Sequence, residues 1–319
     1  MLIEPSVGSV LDSAFGDASS QLLAHVEQHP GDHIALEIER PNLLWAIDWS
    51  YESERWREVM RFVDIVGPPA RGFLGLGGYW EDVVRCCQQA ISSAKALNDL
   101  AKLARYTSNL GIAYQRLGKS GQAVTAYEAA LQLLIELKDE EAAAVVLHQM
   151  GNHARSRRAL AEAQAVYERS LAISRKYGRT GQVAATLYQM GAVAYDKQDE
   201  DLAEQYYRES LQLVQQLGDA RLECRILNGL ANIATVRQEF DTGRDYLVRS
   251  LDLAYQLGDV LQIAHAIMDQ AFLEEWAEEY QKSFELSEEA LPLLIQLQSP
   301  LAERLSRLRQ RVLEKLSRQ

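Results

Sequence analysis

Four groups of residues have the types and spacing to do chemistry. Gly118, Lys119 and Ser120 read "GKS", the tail of a phosphate-binding loop. That loop needs G-x-x-x-x-G-K-S/T after a buried strand. The first glycine position holds Ala113, and the preceding "ARYTSNLGIAYQRL" has helical character. His25, His29 and His33 are spaced by four, like metal ligands on one helix face, but Pro30-Gly31 breaks a helix between the second and third. Cys86, Cys87 and Cys224 offer no C-x-x-C pair and an odd count, so they read as reduced, buried thiols. No histidine near Cys86-Cys87 in sequence is placed to activate a thiolate. Arg155 to Arg158, "RSRR", is a dense basic cluster without an aromatic platform for a base, and reads as a solvated helix end or a contact for an acidic peptide. With no paired carboxylates in a defined setting and no Ser-His-Asp order, the sequence implies no enzyme, no cofactor and no metal site.

The elements that position these residues are helices. From Trp80 on, the chain is dominated by good helix formers, and only 7 prolines and 19 glycines occur in 319 residues. A formal net charge of −12, from 33 basic and 45 acidic residues, argues against broad binding to nucleic acid or to an anionic membrane. The first twenty residues lack a basic flank and a long apolar run, so they do not read as a signal peptide. No window approaches the ~18 uninterrupted apolar residues of a membrane-spanning helix. A cytoplasmic location is the expectation.

A period of 40 residues runs through the chain. Gly111, Gly151, Gly191, Ala231 and Ala271 fall in register, as do Ala123, Ala163, Ala203, Gly243 and Ser283. A third register holds Ala130, Ser170, Ser210, Ser250 and Ala290. Small residues in fixed places let helices approach closely. Larger plugs sit between them: Leu110, Met150, Met190 and Leu230 on one helix, Tyr127, Tyr167, Tyr207 and Leu247 on the next. Each repeat has an apolar seam that it buries only by stacking on its neighbours. Short terminators recur with the period, "LND" ending at Asp99, "LKD" at Asp139 and "LGD" at Asp219 and Asp259. "GKS" is then a turn between two helices.

Leu110, Gly111, Tyr114, Ala123, Tyr127 and Ala130 complete a pattern that resembles the tetratricopeptide repeat in a long version of about 40 residues. Later copies depart from it, with Ala154, Ala194 and Ala234 at the Tyr114 position. The resemblance covers Tyr79 to Gln298 and is similar to the repeats of kinesin light chains and of the sensor regions of bacterial signal-transducing NTPases. It implies an all-α, right-handed superhelical solenoid of antiparallel helix pairs. The expected division is an N-terminal helical region at 1–78, with a degenerate first repeat and about twenty disordered residues at its start, a solenoid at 79–299 and a capping helix at 300–319.

At the ends the register fades. "ERPNLLWAIDWSYE" reads as a helix with Pro41 near its start, and Trp45 and Trp49 are expected against the first repeat. Pro68-Pro69 cannot lie within a regular helix, and Pro292 is expected to kink or end one. Leu301, Leu305, Leu308, Val312 and Leu316 form an apolar stripe, for a capping helix or for a homodimer.

At about 100° per residue, the face opposite Leu110, Gly111 and Tyr114 carries the candidate binding residues. They are Asn109, Ile112, Gln115, His148, Gln149, Asn152, Arg155, Tyr188, Gln189, Tyr195, Arg225, Asn228 and Asn232. In the resembling family this face lines the concave groove. Amides there can both donate to and accept from the backbone of an extended segment. The function expected is a protein-interaction scaffold with a protein or peptide ligand and no nucleic acid or membrane partner. The alternative is a regulatory sensor module of a signal-transducing NTPase or a transcriptional regulator.

Overall fold

The computed structural model describes residues 7–69 and 72–318, which form sixteen helices and no strand. Four precede the periodic region: α1 (Val7–Gln28), α2 (His33–Glu52), α3 (Trp56–Val66) and the single turn α4 (Phe73–Leu76). Then come α5 (Trp80–Ala96), α6 (Leu100–Arg116), α7 (Ser120–Glu136), α8 (Glu140–Ser156), α9 (Leu160–Lys176) and α10 (Thr180–Asp196). The rest are α11 (Glu200–Leu217), α12 (Ala220–Val236), α13 (Phe240–Leu257), α14 (Val260–Trp276), α15 (Tyr280–Gln296) and α16 (Leu301–Leu316). Residues 1–153 and 154–319 are two compact units, the division falling within α8. The all-helical solenoid of paired helices agrees with the repeat pattern.

Turn chemistry sets the beat. From Gly78 to Gln298 a residue with positive φ recurs every 20 positions, so each helix ends in the left-handed conformation that reverses the chain. The aspartates of the terminators begin the helices that follow. The Oδ1 atoms of Asp99, Asp139, Asp219 and Asp259 accept from the amides of Lys102, Ala142, Leu222 and Gln262 at 3.0–3.2 Å. Each such cap stabilises its helix by about 1 kcal/mol.

The small registers act by contact. A Cβ added at Gly191 would lie 2.7 Å from the ring of Tyr207, and one at Gly111 would lie 2.7 Å from the ring of Tyr127. Both rings are buried. The serines of the third register also bond: Ser210 Oγ donates to the Ala184 carbonyl at 2.7 Å, and Ser250 Oγ to the Cys224 carbonyl at 3.1 Å. These bonds tie α11 to α10 and α13 to α12, the two helices of one pair.

Several expectations are corrected at the ends. Residues 1–6 lie outside the described residues, but the chain is helical from Val7, within the stretch expected to be disordered. Helix α2 begins at His33, capped by Asp32, and carries Pro41 in its interior. The Trp45 ring meets Phe15 of α1 edge-on at 5.4 Å and stacks on Trp49. Trp49 in turn lies under Arg55. Helix α15 runs past Pro292 to Gln296 rather than ending there. Pro68-Pro69 does fall between helices.

Within residues 154–319 the stripe of α16 is spent inside the chain. Leu305, Leu308 and Val312 are fully buried in the cluster built from α14 and α15. Two buried acids fix this end. Glu274 accepts from Arg244 Nε and Nη2, at 3.0 and 2.7 Å, and from the Lys282 ammonium. Glu275 receives Arg311 of α16 at 3.0 and 2.8 Å.

Candidate functional site

In residues 154–319 the first helices of successive pairs touch one another, α10 with α12, α12 with α14 and α14 with α16. Among the described residues α11, α13 and α15 make no such mutual contact, so the row of first helices is the inner side of this unit. Tyr207 shows how closely they approach. Its ring is wedged between Gly191 of α10 and Gly229 of α12, where an added Cβ on either would sit 2.7 Å from it.

On this inner face the sequence-selected residues form linked groups. Arg155 Nε donates to Asp196 at 3.0 Å and its Nη1 to Gln189 Oε1 at 3.4 Å. Tyr188 lies 5.8 Å from Tyr207 by ring centroids and under the Arg225 guanidinium at 4.6 Å. Asn232 is half-buried on α12. Asn228 is 7% exposed, and its Oδ1 is buried with no hydrogen-bond partner. Such an atom has lost water without regaining a bond, at a cost of about 1–3 kcal/mol. It is an acceptor in search of a donor.

The face also holds residues that the sequence reading missed. Asp269 on α14 has its carboxyl pushed up to about 7 by burial, with Arg304 of α16 opposing the rise. Tyr195 is raised by burial and feels both Arg304 and Asp269. His265 is held below its ordinary value by burial and by Arg225. The Arg304 guanidinium sits 4.6 Å over Phe272. The signal for Asp269 and Phe272 was present, since two steps of 40 from Gln189 reach Asp269 and one from Asn232 reaches Phe272. Arg304 had no such signal, because α16 starts one residue late against the period.

In residues 1–153 the selected residues lie on α6 and α8. Gln115 Oε1 accepts from the Tyr127 hydroxyl at 3.1 Å, and Asn152 Nδ2 donates to Gln149 Oε1 at 3.2 Å. His148 is buried, while Asn109 and Ile112 are half-buried. These amides are partly spent on neighbours within the chain.

The remaining chemical candidates resolve simply. "GKS" is the α6–α7 turn, with Gly118 at φ 71° and Ser120 Oγ 3.0 Å from His153 Nε2. Cys86 and Cys87 are buried, and burial pushes the Cys86 thiol up to about 12 and raises Cys87 as well. Of the basic cluster, Arg157 pairs with Glu162, and Arg155 and Arg158 both face Asp196. His25 of α1 and His29, just past the end of that helix, lie 4.9 Å apart by ring centroids, and His29 Nδ1 is 3.1 Å from the His25 carbonyl. Among the described residues, no helix is long and apolar enough to cross a membrane.

Tetratricopeptide-repeat family models match residues 107–141 and 141–216. By sequence, no curated protein matches the chain. By structure, it is similar to BtubC (BKLC) from P. vanneervenii at 18% identity and TM-score 0.60, covering 69% of this chain and 92% of that one. The signal transduction ATPase with a tetratricopeptide-repeat sensor from Pyrococcus horikoshii gives 15% identity and TM-score 0.63 over 92% of this chain. The chain spans 44% of that ATPase's length. A Rap protein complexed with Competence and Sporulation Factor gives 12% identity and TM-score 0.57, covering 96% of this chain and 98% of its own.

Proposed function

We propose that this chain, a tetratricopeptide-repeat protein, is an interaction scaffold that takes an extended peptide segment along the inner face of its first helices. The observation that carries the reading is Asn228, whose buried Oδ1 lacks a donor on a face otherwise lined by amides, phenols and guanidiniums. A backbone N–H laid along α12 supplies that donor, and Gln189 and Asn232 flank it with side chains able to donate and accept. Tyr188 and Tyr195 add apolar contact. The Rap conjugation gene regulator of the plasmid pLS20 in complex with the Phr* peptide, at 14% identity and TM-score 0.59, supports a peptide as the kind of ligand. A second reading, a sensor module controlling a nucleotide-hydrolysing partner, draws support from the match of 92% of this chain to an ATPase that carries such a sensor.

The test is a lysate pull-down with the native chain and with a variant carrying Gln189→Ala, Asn228→Ala and Asn232→Ala. Loss of a specific partner from the variant alone, with helicity by circular dichroism unchanged, is the expected result. Partners kept equally by both baits move the site off this face.

A further inference from the structure

The inner face of residues 154–319 differs in charge from the chain that carries it. The whole chain has 45 acidic and 33 basic residues, so an arginine without a carboxylate partner is unexpected. Two such arginines stand on this face. Arg225 lies 4.6 Å over the Tyr188 ring and Arg304 4.6 Å over the Phe272 ring, and among the described residues neither makes an ion pair. The other cations here are engaged: Arg155 and Arg158 share Asp196, and Arg311 and Lys315 share Glu275.

Stacking on an aromatic face uses the π side of a guanidinium and leaves its in-plane N–H fork free. The ring also fixes the fork's direction, so less side-chain entropy is lost when a carboxylate docks. Two forks held in this way, on α12 and α16, are preorganised donors for carboxylates. Asp269 on this face makes no ion pair among the described residues, and burial raises its carboxyl to about 7, so near neutrality it opposes an anion only in part. The groups around it are Arg304 of α16, the Tyr195 phenol of α10, and His265 on its own helix, which faces Arg225 of α12.

The geometry points to an acidic peptide segment as the ligand of this face, its side-chain carboxylates bound by Arg225 and Arg304 and a backbone N–H by Asn228. This rests on the peptide-binding reading above and names the ligand class. It predicts that Asp269, as it ionises, weakens binding.

The experiment uses the full chain and a random peptide library displayed on phage, followed by fluorescence anisotropy with synthetic copies of the selected peptides. The expected pool is enriched in Asp and Glu over the input. Changing a selected peptide's Asp and Glu to Asn and Gln should weaken binding by tenfold or more. Arg225→Gln and Arg304→Gln, both at exposed side chains, should each cost about three- to tenfold, the weight of a charge-assisted hydrogen bond discounted for solvent. Asp269→Asn should tighten binding and remove its decline between about pH 6 and 8, a response that a misfolded variant cannot mimic. A neutral or basic pool that still requires Asn228 overturns the acidic ligand and leaves the groove reading standing. Acidic peptides indifferent to both arginine changes overturn it too. A selection that retains nothing sinks both readings.

Discussion

Gly191→Ala is the sharpest probe of how these repeats pack. In an open helix interior this change stabilises by about 1 kcal/mol, because alanine is the better helix former. At Gly191 the new Cβ meets Cδ1 and Cε1 of Tyr207 at 2.7 Å, about 1 Å inside ordinary carbon contact. The ring cannot retreat, because Gly229 stands on its far side and an added Cβ there would also lie 2.7 Å away. Overpacking of this kind costs about 1–3 kcal/mol, and the lack of an exit places it at the upper end. After the helix gain is subtracted, the net loss is about 2 kcal/mol, or a fall of about 4–8 °C in Tm. Gly181→Ala, in the same helix with its nearest neighbour 4.0 Å away, serves as the control and should be neutral or stabilising. The chain supplies its own rescue. One repeat on, the equivalent pair is Ala231 and Leu247, both buried in one cluster. Gly191→Ala with Tyr207→Leu should therefore lose less than the two single changes added together, with a coupling of about 1–2 kcal/mol. Urea and thermal unfolding followed by circular dichroism measure all four corners. A Gly191→Ala protein as stable as the native chain, or a strictly additive cycle, refutes the packing argument.

Two further outcomes follow from the turns and the cap. Lys138 has φ 55° and Gln238 φ 62°, so each holds a side chain in the left-handed region. Lys138→Gly and Gln238→Gly should each stabilise by up to about 1 kcal/mol and add in the double variant, as read by thermal unfolding. Glu274 is buried, and the burial penalty on its carboxylate is outweighed by hydrogen bonds from Arg244 and Lys282, so its pKa falls below the ordinary 4.5. The folded state then binds fewer protons than the unfolded one, and this stability, full above about pH 4.5, is lost as pH falls through the lowered value. Glu274→Gln should flatten that part of the acid-unfolding curve and cost about 2 kcal/mol or more at neutral pH, since it takes the carboxylate from Lys282 and leaves Arg244 only the exposed Asp241. An acid-unfolding curve unchanged by the substitution counts against the assignment.

Much of the fold was legible because its packing is periodic. Gly111 and Gly191 appear in the sequence as small residues in register, and in three dimensions each is a place where a tyrosine ring needs the room. The terminator aspartates were visible as punctuation, but their task, capping the helix that follows, needed coordinates. Errors gathered where the period fails. Pro41 lies within a helix because a proline there costs one amide bond and some bending, which tertiary packing can outweigh. The place of Trp45 against Phe15 was not legible, because periodicity says nothing about how a helix outside the array is docked.

The same contrast locates specificity within a single chain. Packing positions repeat because each must fit a neighbour: Ser170, Ser210 and Ser250 are all fully buried. Within residues 154–319 positions on the inner face change from repeat to repeat, from Tyr188 to Asn228 to Met268, from Gln189 to Gly229 to Asp269, and from Arg225 to His265. A residue that fills a seam is constrained by the helices on either side of it. One that lines the face is constrained only by what lies against that face. The frame can therefore stay regular while Arg225, Asn228 and Asp269 differ from their counterparts without loss of fold. Substitutions in the first set should register in unfolding, and substitutions in the second in binding. Asn228→Asp, which keeps size but turns a paired donor and acceptor into an acceptor alone, should leave helicity intact. On the acidic-ligand reading it should weaken the peptide that Arg225 holds, through like charge beside the docked carboxylate. Equal or tighter binding of an acidic peptide by the Asn228→Asp chain would place that peptide elsewhere on the surface.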